Sequence, residues 1–585
     1  MIEKWKIFAL TSEQRAQAES LAKELGVSLS ICELLVIRGI TTFEEAKRFF
    51  RPKLADLHDP FLIKDMTEAV ARLNRALSEK EKILIYGDYD VDGTTAVSLV
   101  YGFLRQYTKN IGYYIPDRYS EGYGISMQSI DFAKNEGYNL IIALDCGIKA
   151  VDKVAKANEY GIDFIICDHH TPDAVLPAAV AVLDSQREDC TYPYRFLSGC
   201  GVGFKLLQAF SISNEIPINK LFEYLDLAAV SIASDIVPIT GENRILAAAG
   251  MQKLNTSPNL GLKNIIDVCS MSGKPLDISD VVFKLGPRIN AAGRMRTGNE
   301  IVELLTTNNA DIAREKCSDV DGYNTERRDI DTSTTEQARQ FVLSEGNIED
   351  RKSIVVFNPQ WNKGIVGIVA SRLAEEFHRP TIVLTHSTNG DLISGSARSV
   401  LGFDLYSAID SCRDLLENFG GHLYAAGLSM KEENFAEFKR RFEKNVEETI
   451  TEEQLNPQIE VDLNIDFAEI TPKFWRILKQ FNPFGPENMK PVFCTKNLID
   501  YQNQSKLIGK DSTHLRLVLS DILGKNAKSG VAFCSGDMRN YDMQAILTHL
   551  KNGGKVDICY TLEDNTFNGQ TNLQIMVKDV LVVNG

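Results

Sequence analysis

Short apolar runs alternate with helix-length amphipathic stretches over most of this chain, and that alternation sets the fold class. From Lys82 onward, Ile83 to Ile85, Asn139 to Leu144, Asp163 to Cys167 and Ala178 to Leu183 have the composition of buried strands. Thr94 to Tyr107 and Ile148 to Tyr160 carry helical spacing between them. Strands separated by helices of this length predict an α/β fold with a doubly wound parallel sheet. Ahead of it, Ser12 to Leu25, Thr42 to Phe50 and Thr67 to Leu77 read as helices, Thr42 and Glu45 forming a capping box. Residues 1–80 are therefore expected to be a helical lead-in without chemistry of its own.

Past the sheet the pattern changes. Glu300 to Ser344 is polar with helical spacing and reads as a long connecting helix. A second, smaller α/β domain follows, with strands at Ser353 to Phe357 and Thr381 to Leu384, a helix at Gly364 to Glu375, and then GSARS (Gly395 to Ser399) and FGGHLYAAGLSM (Phe419 to Met430), a plain turn being the bland alternative for each. From Pro457 the pattern is of short strands: Ile459 to Ile465, Pro491 to Cys494, His514 to Leu519, Gly530 to Cys534, Val556 to Tyr560 and Leu573 to Leu581, with a helix at Phe474 to Phe481. That series predicts a small OB-like β-barrel, a class that commonly handles single nucleic-acid strands. The expected division is 1–80, 81–298 (sheet domain), 299–350 (connecting helix), 351–450 (second α/β domain) and 451–585 (OB-like domain).

Length and composition narrow this further. At 585 residues the chain exceeds what one core supports. No apolar run reaches the roughly 18 residues of a membrane span, and MIEKWKIFAL lacks the apolar core of a signal peptide, so a cytoplasmic protein without membrane contact is expected. The 11 cysteines include no CxxC pair, which argues against a disulfide framework and a zinc knuckle. The net charge of −15 opposes a polyanionic partner at long range, but a local groove of Lys and Arg would still bind one.

The candidate chemistry sits at strand ends. Asp88, Asp90 and Asp92 follow the first strand, Asp145 the next, and Asp168, His169 and His170 the third, all on the carboxyl edge where open α/β sheets bind ligands. Carboxylates this close repel one another and are costly to desolvate without a cation. A metal site explains the convergence better than the plain alternative, an Asp-rich turn capping a helix. Asp235, closing the apolar helix Leu221 to Ser234, needs a partner for the same reason. Gly199, Gly201 and Gly203 fit no nucleotide motif and read as a structural turn. In GPRINAAGRM (Gly286 to Met295), small residues allow close backbone approach and Arg288 and Arg294 suit phosphate oxygens, the plain alternative being a surface turn. Ser396, Arg398, Gly420, Gly421 and His422 would together make a phosphate-gripping surface.

The series YGDYDVDGTTA, LIIALDCG, CDHH and SIASDIVP resembles, in order, the motifs of the DHH phosphoesterase superfamily. GPRINAAGRM, GSARS, FGGHLYAAG and PFGPENMKPVF (Pro483 to Phe493) resemble its bacterial single-strand-specific 5′→3′ DNA exonucleases. The resemblance implies a DHH catalytic domain, a DHH-associated domain and an OB-like domain. It implies metal ligation by Asp90, Asp92, Asp145, His169, His170 and Asp235, with Asp88 and Asp168 close by, and two Mn2+ or Mg2+ ions. It implies contacts to the 5′ phosphate or backbone by Arg118, Arg288, Asn290, Arg294, Ser396, Arg398, Gly421 and His422. The expected reaction is two-metal hydrolysis of single-stranded DNA from a 5′ end to mononucleotides, in repair and recombination, with a single-strand-binding protein and a helicase as candidate partners. A DHH phosphodiesterase of cyclic dinucleotides or short oligonucleotides, and a non-catalytic DNA-binding scaffold, are the rivals. One departure stands out: some DHH relatives place a histidine ligand where this chain has Tyr86, which puts one metal position in doubt. The chain also ends soon after the expected barrel, without the further C-terminal domain some of these exonucleases carry.

Overall fold

In a computed structural model that describes residues 4–387, 392–534, 538, 541–567 and 570–583, the first apolar run becomes β1 (Ile83–Gly87), buried along its whole length. It is followed by α1 (Val91–Leu104), β2 (Ile111–Tyr114), β3 (Leu140–Leu144), β4 (Asp163–Cys167) and β5 (Ala181–Leu183). These strands pair in the order β2-β1-β3-β4-β5, all parallel. Alternate residues face different cores: Ile83 and Ile85 pack with Val97, Phe103 and Phe204, whereas Leu84 and Tyr86 pack with Ile130 and Phe164. Full burial of each such isoleucine stabilises the sheet by roughly 1.5–3 kcal/mol over exposure. In this strand order the chain reverses direction across the sheet between β1 and β3, which opens a ligand crevice beyond their carboxyl ends. The half-buried edge strand β2 has no counterpart among the apolar runs of the sequence.

Helices complete this layer: α2 (Gly199–Ser213), α3 (Leu225–Ser234), α4 (Gly286–Met295) and α5 (Ala310–Ser344). GPRINAAGRM is thus a helix and not a turn, entered through a π-helical stretch, Val281–Leu285. The connector expected as one helix over Glu300 to Ser344 is two, Asn299–Thr306 and, after a break at 307–309, the 35-residue α5.

The second sheet comprises β6 (Ile354–Phe357), β7 (Thr381–His386), β8 (Ile393–Arg398), β9 (Asn418–His422) and β10 (Ala425–Met430), with α6 (Val366–Phe377) against it. The order is β9-β10-β8-β7-β6, and only β6 and β7 run parallel. GSARS and FGGHLYAAGLSM, for which a plain turn is the alternative reading of the sequence, lie mainly in β8, β9 and β10. Glycine and serine have poor strand propensity, but Ile393, Ala397, Ala426, Leu428 and Met430 are buried beneath Phe438 and Phe442, and that packing overrides propensity.

The lead-in expected over 1–80 is divided. The segment up to Lys53 forms one unit with the segment from Gln458 onward, and Leu54–Pro457 forms the other. In the former, Trp5–Ile7 pairs in parallel with Ile459–Val461, and Leu34 and Leu35 share a core with Phe481 and Phe493. Its strands β11 (Phe493–Asp500), β12 (His514–Ser520), β13 (Lys528–Ala532), β14 (Lys555–Phe567) and β15 (Gln570–Val583) pair around a closed ring, β11-β14-β15-β13-β12-β11, as an OB-like fold requires. Among the described residues no helix is long and apolar enough to cross a membrane.

Candidate metal centre and phosphate pocket

The crevice beyond β1 and β3 collects the acidic strand ends. His169 is central: its Nε2 lies 3.1 Å from Asp145 Oδ1, 3.6 Å from Asp235 Oδ2 and 3.8 Å from Asp92 Oδ2. The sets Asp92–His169–Asp235 and Asp145–His169–His170 each offer ligand atoms within 4.8 Å of one another. Asp90 caps α1, accepting from Gly93 N at 3.0 Å. Asp92 is pinned by Gly199 N (2.7 Å), Cys200 N (2.8 Å) and the Ser231 hydroxyl (2.7 Å), so the amino end of α2 and a side chain of α3 fix one carboxylate. Gly199, read from sequence as part of a turn, is instead the first residue of α2 and supports the site directly: a Cβ there would fall 2.5 Å from Asp145 Cβ. Ser198, which caps α2, bonds Ser231 in turn. A serine cap before three spaced glycines is the signal by which Gly199 and Cys200 could have been found in the sequence, whereas Ser231 left none.

The electrostatics ask for a cation. Burial, then Asp90, raises the Asp88 carboxyl well above its ordinary value; burial, then Asp92, raises Asp90. Burial, then Asp92, Asp90 and Asp235, raises Asp145 far, and burial, Asp92 and Asp90 do the same to Asp235. Among the described residues, both Asp88 oxygens and Asp235 Oδ2 are buried without a hydrogen bond of normal geometry. A divalent ion would relieve the repulsion and satisfy these atoms, so the residues present fit one. The donors are carboxylate and imidazole, while burial holds the neighbouring Cys146 and Cys200 as thiols, a set suited to Mn2+ or Mg2+.

Asp168 plays a different part. It accepts from Ile148 N (2.8 Å), His169 N (2.7 Å) and His170 Nδ1 (2.7 Å). Burial opposes its charge, yet the His170 bond and both imidazoles hold its carboxyl below the ordinary value. Burial likewise opposes the charged form of His170, but the Asp168 bond and charge raise it. His170 Nε2 is left beside the Tyr123 hydroxyl at 3.0 Å.

Tyr86 lies on the other face of the sheet. Its hydroxyl donates to Gly124 O at 2.7 Å and its ring stacks on Tyr114. Tyr86→Phe is expected to cost about 1 kcal/mol of stability and to leave Mn2+ stoichiometry unchanged; urea unfolding and calorimetric titration read the two effects.

Arginines gather beside this centre. Arg118 lies over the Tyr89 ring at 4.9 Å, and Arg398 donates to Ser396 Oγ (2.7 Å) and Ala397 O (2.8 Å). Arg294 donates to Gly364 O at 2.8 Å, and its own carbonyl accepts from Tyr119. Burial first, then Arg118, Arg327 and Arg398, pushes Arg294 down to about 9. A guanidinium keeps its proton in proteins, so burial and the neighbouring arginines both disfavour its charge, and a bound anion would offset them. Gly293 lets α4 approach Tyr89, whose carbonyl would sit 2.4 Å from a Cβ there. Of the other residues expected to grip phosphate, Arg288 is committed to Asp321 at 2.8 Å. Asn290 is half-buried on α4, and Gly421 and His422 are exposed on β9. Arg327 and Tyr123 were not foreseen; an arginine in a polar helix and a tyrosine in a loop carry no local pattern.

The chain matches the family model of the DHH family, N-terminal domain, over residues 82–232, of the DHHA1 domain over 350–448, and of the RecJ OB domain over 461–579. It is 36% identical over 566 residues to the single-stranded-DNA-specific exonuclease RecJ of Bacillus subtilis, covering 97% of this chain and 70% of that protein. Against the Escherichia coli protein of the same name, identity is 31% over 566 residues, covering 94% and 95%. The crystal structure of RecJ in complex with Mn2+ from Thermus thermophilus superposes with a TM-score of 0.82 at 26% identity, covering 100% of this chain and 81% of that one.

Proposed function

Because the chain belongs to the RecJ family of single-stranded-DNA-specific exonucleases, we infer that the cluster around His169 is its hydrolytic centre and the arginines beside it hold the strand end. The protein is a metal-dependent exonuclease acting on single-stranded DNA, with Mn2+ or Mg2+ as cofactor. The observation that carries the residue assignment is the convergence of Asp92, Asp145 and Asp235 on one imidazole, with buried carboxylate oxygens that have no hydrogen bond of normal geometry among the described residues.

Asp90, Asp92, Asp145, His169 and Asp235 would hold two ions, with Asp88 and His170 within reach. Bound there, the ions supply the charge that neutralises the scissile phosphate and activates the attacking water. Asp168 accepts from His170 Nδ1 and raises the ring's affinity for a second proton, so that the imidazolium would present Nε2–H to the phosphate or to the leaving 3′ oxygen. Arg118, Arg294 and Arg398 would grip a 5′-terminal phosphate, fixing which bond meets the water. Cleavage then runs 5′→3′ and releases mononucleotides. In this reading 81–298 does the chemistry, 351–450 contributes to the end grip, and 451–585 holds more of the strand. The charge of −15 repels bare DNA at long range, which favours delivery of the 5′ end by a single-strand-binding protein or helicase during repair and recombination in the cytoplasm.

The test is digestion of single strands labelled at either end, beside blunt duplex and a cyclic dinucleotide. Mononucleotides released first from the 5′ label are expected; loss from the 3′ label first, or hydrolysis of the dinucleotide alone, would overturn the assignment.

A further inference from the structure

Ile236 directly follows Asp235 and has φ +60°, the only β-branched residue among the described non-glycine residues with positive φ. L-residues with a branched Cβ avoid this region, because Cβ meets the following carbonyl oxygen. The position is the one after the C-cap of α3, where glycine or asparagine is the usual choice. Burial does not offset the strain, since the Ile236 side chain is 66% exposed. Nor does positioning of Asp235 explain an isoleucine, because glycine would hold the same backbone at lower cost. The conformation is fixed from both sides: Asp235 N donates to Ser231 O at 2.9 Å, and Pro238 O accepts from Tyr194 (3.1 Å) and Asn243 (3.0 Å). Strain that the surroundings enforce and burial does not repay is concentrated at functional sites.

We propose that Ile236 is a specificity-determining residue, an apolar step beside the cluster against which a base flanking the scissile phosphate rests. This rests on the exonuclease reading and deepens it. A base packs its face on a side chain only when it is turned from its own stack, so such a contact favours a single strand over a duplex end. The step touches the substrate and not the ions, so it acts on KM.

The test compares wild type, Ile236→Gly and Ile236→Val on a short 5′-phosphorylated single strand and on the same strand with an abasic site on either side of the first bond cleaved. Ile236→Gly is expected to raise KM about tenfold with kcat within about twofold, to leave Mn2+ affinity unchanged, and to melt about 1–2 °C higher as strain is released. Ile236→Val should keep the wild-type KM. Wild type should lose about tenfold in KM on one abasic strand, a loss absent in Ile236→Gly. Equal KM values with equal abasic penalties in wild type and Ile236→Gly overturn the inference while leaving the exonuclease reading intact. A wild type that digests no single strand removes both.

Discussion

Asp145→Asn is expected to lower kcat on single-stranded DNA on the order of 10⁴-fold while raising the melting temperature of the metal-free protein. Asp145 lies 3.1 Å from His169 and is raised, after burial, by Asp92, Asp90, Asp235 and Asp88. Amide for carboxylate removes a ligand charge from the site and, in the same step, a repulsion from the metal-free fold. The pH dependence fixes the sign. Asp145 is ordinarily half-ionised at 3.8 and is raised well above this in the folded protein, so between the two values the folded state binds more protons and wild type loses stability as pH rises. Below pH 3.8 the carboxyl is protonated in both states and the variant gains little. The gain should therefore widen as pH rises through the folded value. Thermal melts in a chelator across pH, with single-turnover rates in Mn2+, measure both effects; a variant less stable than wild type at every pH would contradict the electrostatic account.

Arg398→Ala is expected to raise KM for a 5′-phosphorylated strand roughly 30- to 100-fold, as loss of a charged hydrogen bond does, with a much smaller effect on a 5′-hydroxyl strand. Arg398 sits where burial and Arg118 disfavour its charge, and its hydrogen-bond partners are a hydroxyl and a carbonyl, with no anionic partner among the described residues. A terminal phosphate would supply one. The slope of log affinity against log salt should fall by about 0.7 for the lost contact. Unchanged discrimination between phosphate and hydroxyl ends would assign the arginines to the strand's backbone instead.

Much of the first sheet is legible in the sequence because its strands are continuous apolar runs that end in charged residues, and those ends are the chemistry. Tyr86 was harder. Strict alternation places it with Leu84, opposite Ile83 and Ile85, but both faces of a parallel sheet are buried, so the pattern does not say which face meets the crevice. The edge strand Ile111–Tyr114 is half-buried and mixes glycine with tyrosine, which blurs its signal. β8, β9 and β10 were hidden by glycine and serine, and their strand character comes from neighbours and from the phenylalanines beneath them. The pairing of Trp5 with Ile459 joins distant parts of the chain, information no local window holds. Arg288 and Arg294 share one motif, and nothing in it says that the first meets Asp321 while the second joins the cationic pocket.

The most direct test of the central claim, that the cluster around His169 is the metal centre of the exonuclease, is anomalous scattering from crystals of active protein soaked in Mn2+. Density for Mn2+ enclosed by Asp90, Asp92, Asp145, His169 and Asp235 is expected, lost in Asp145→Asn together with activity. Active crystals with Mn2+ held elsewhere and none at this cluster would contradict it.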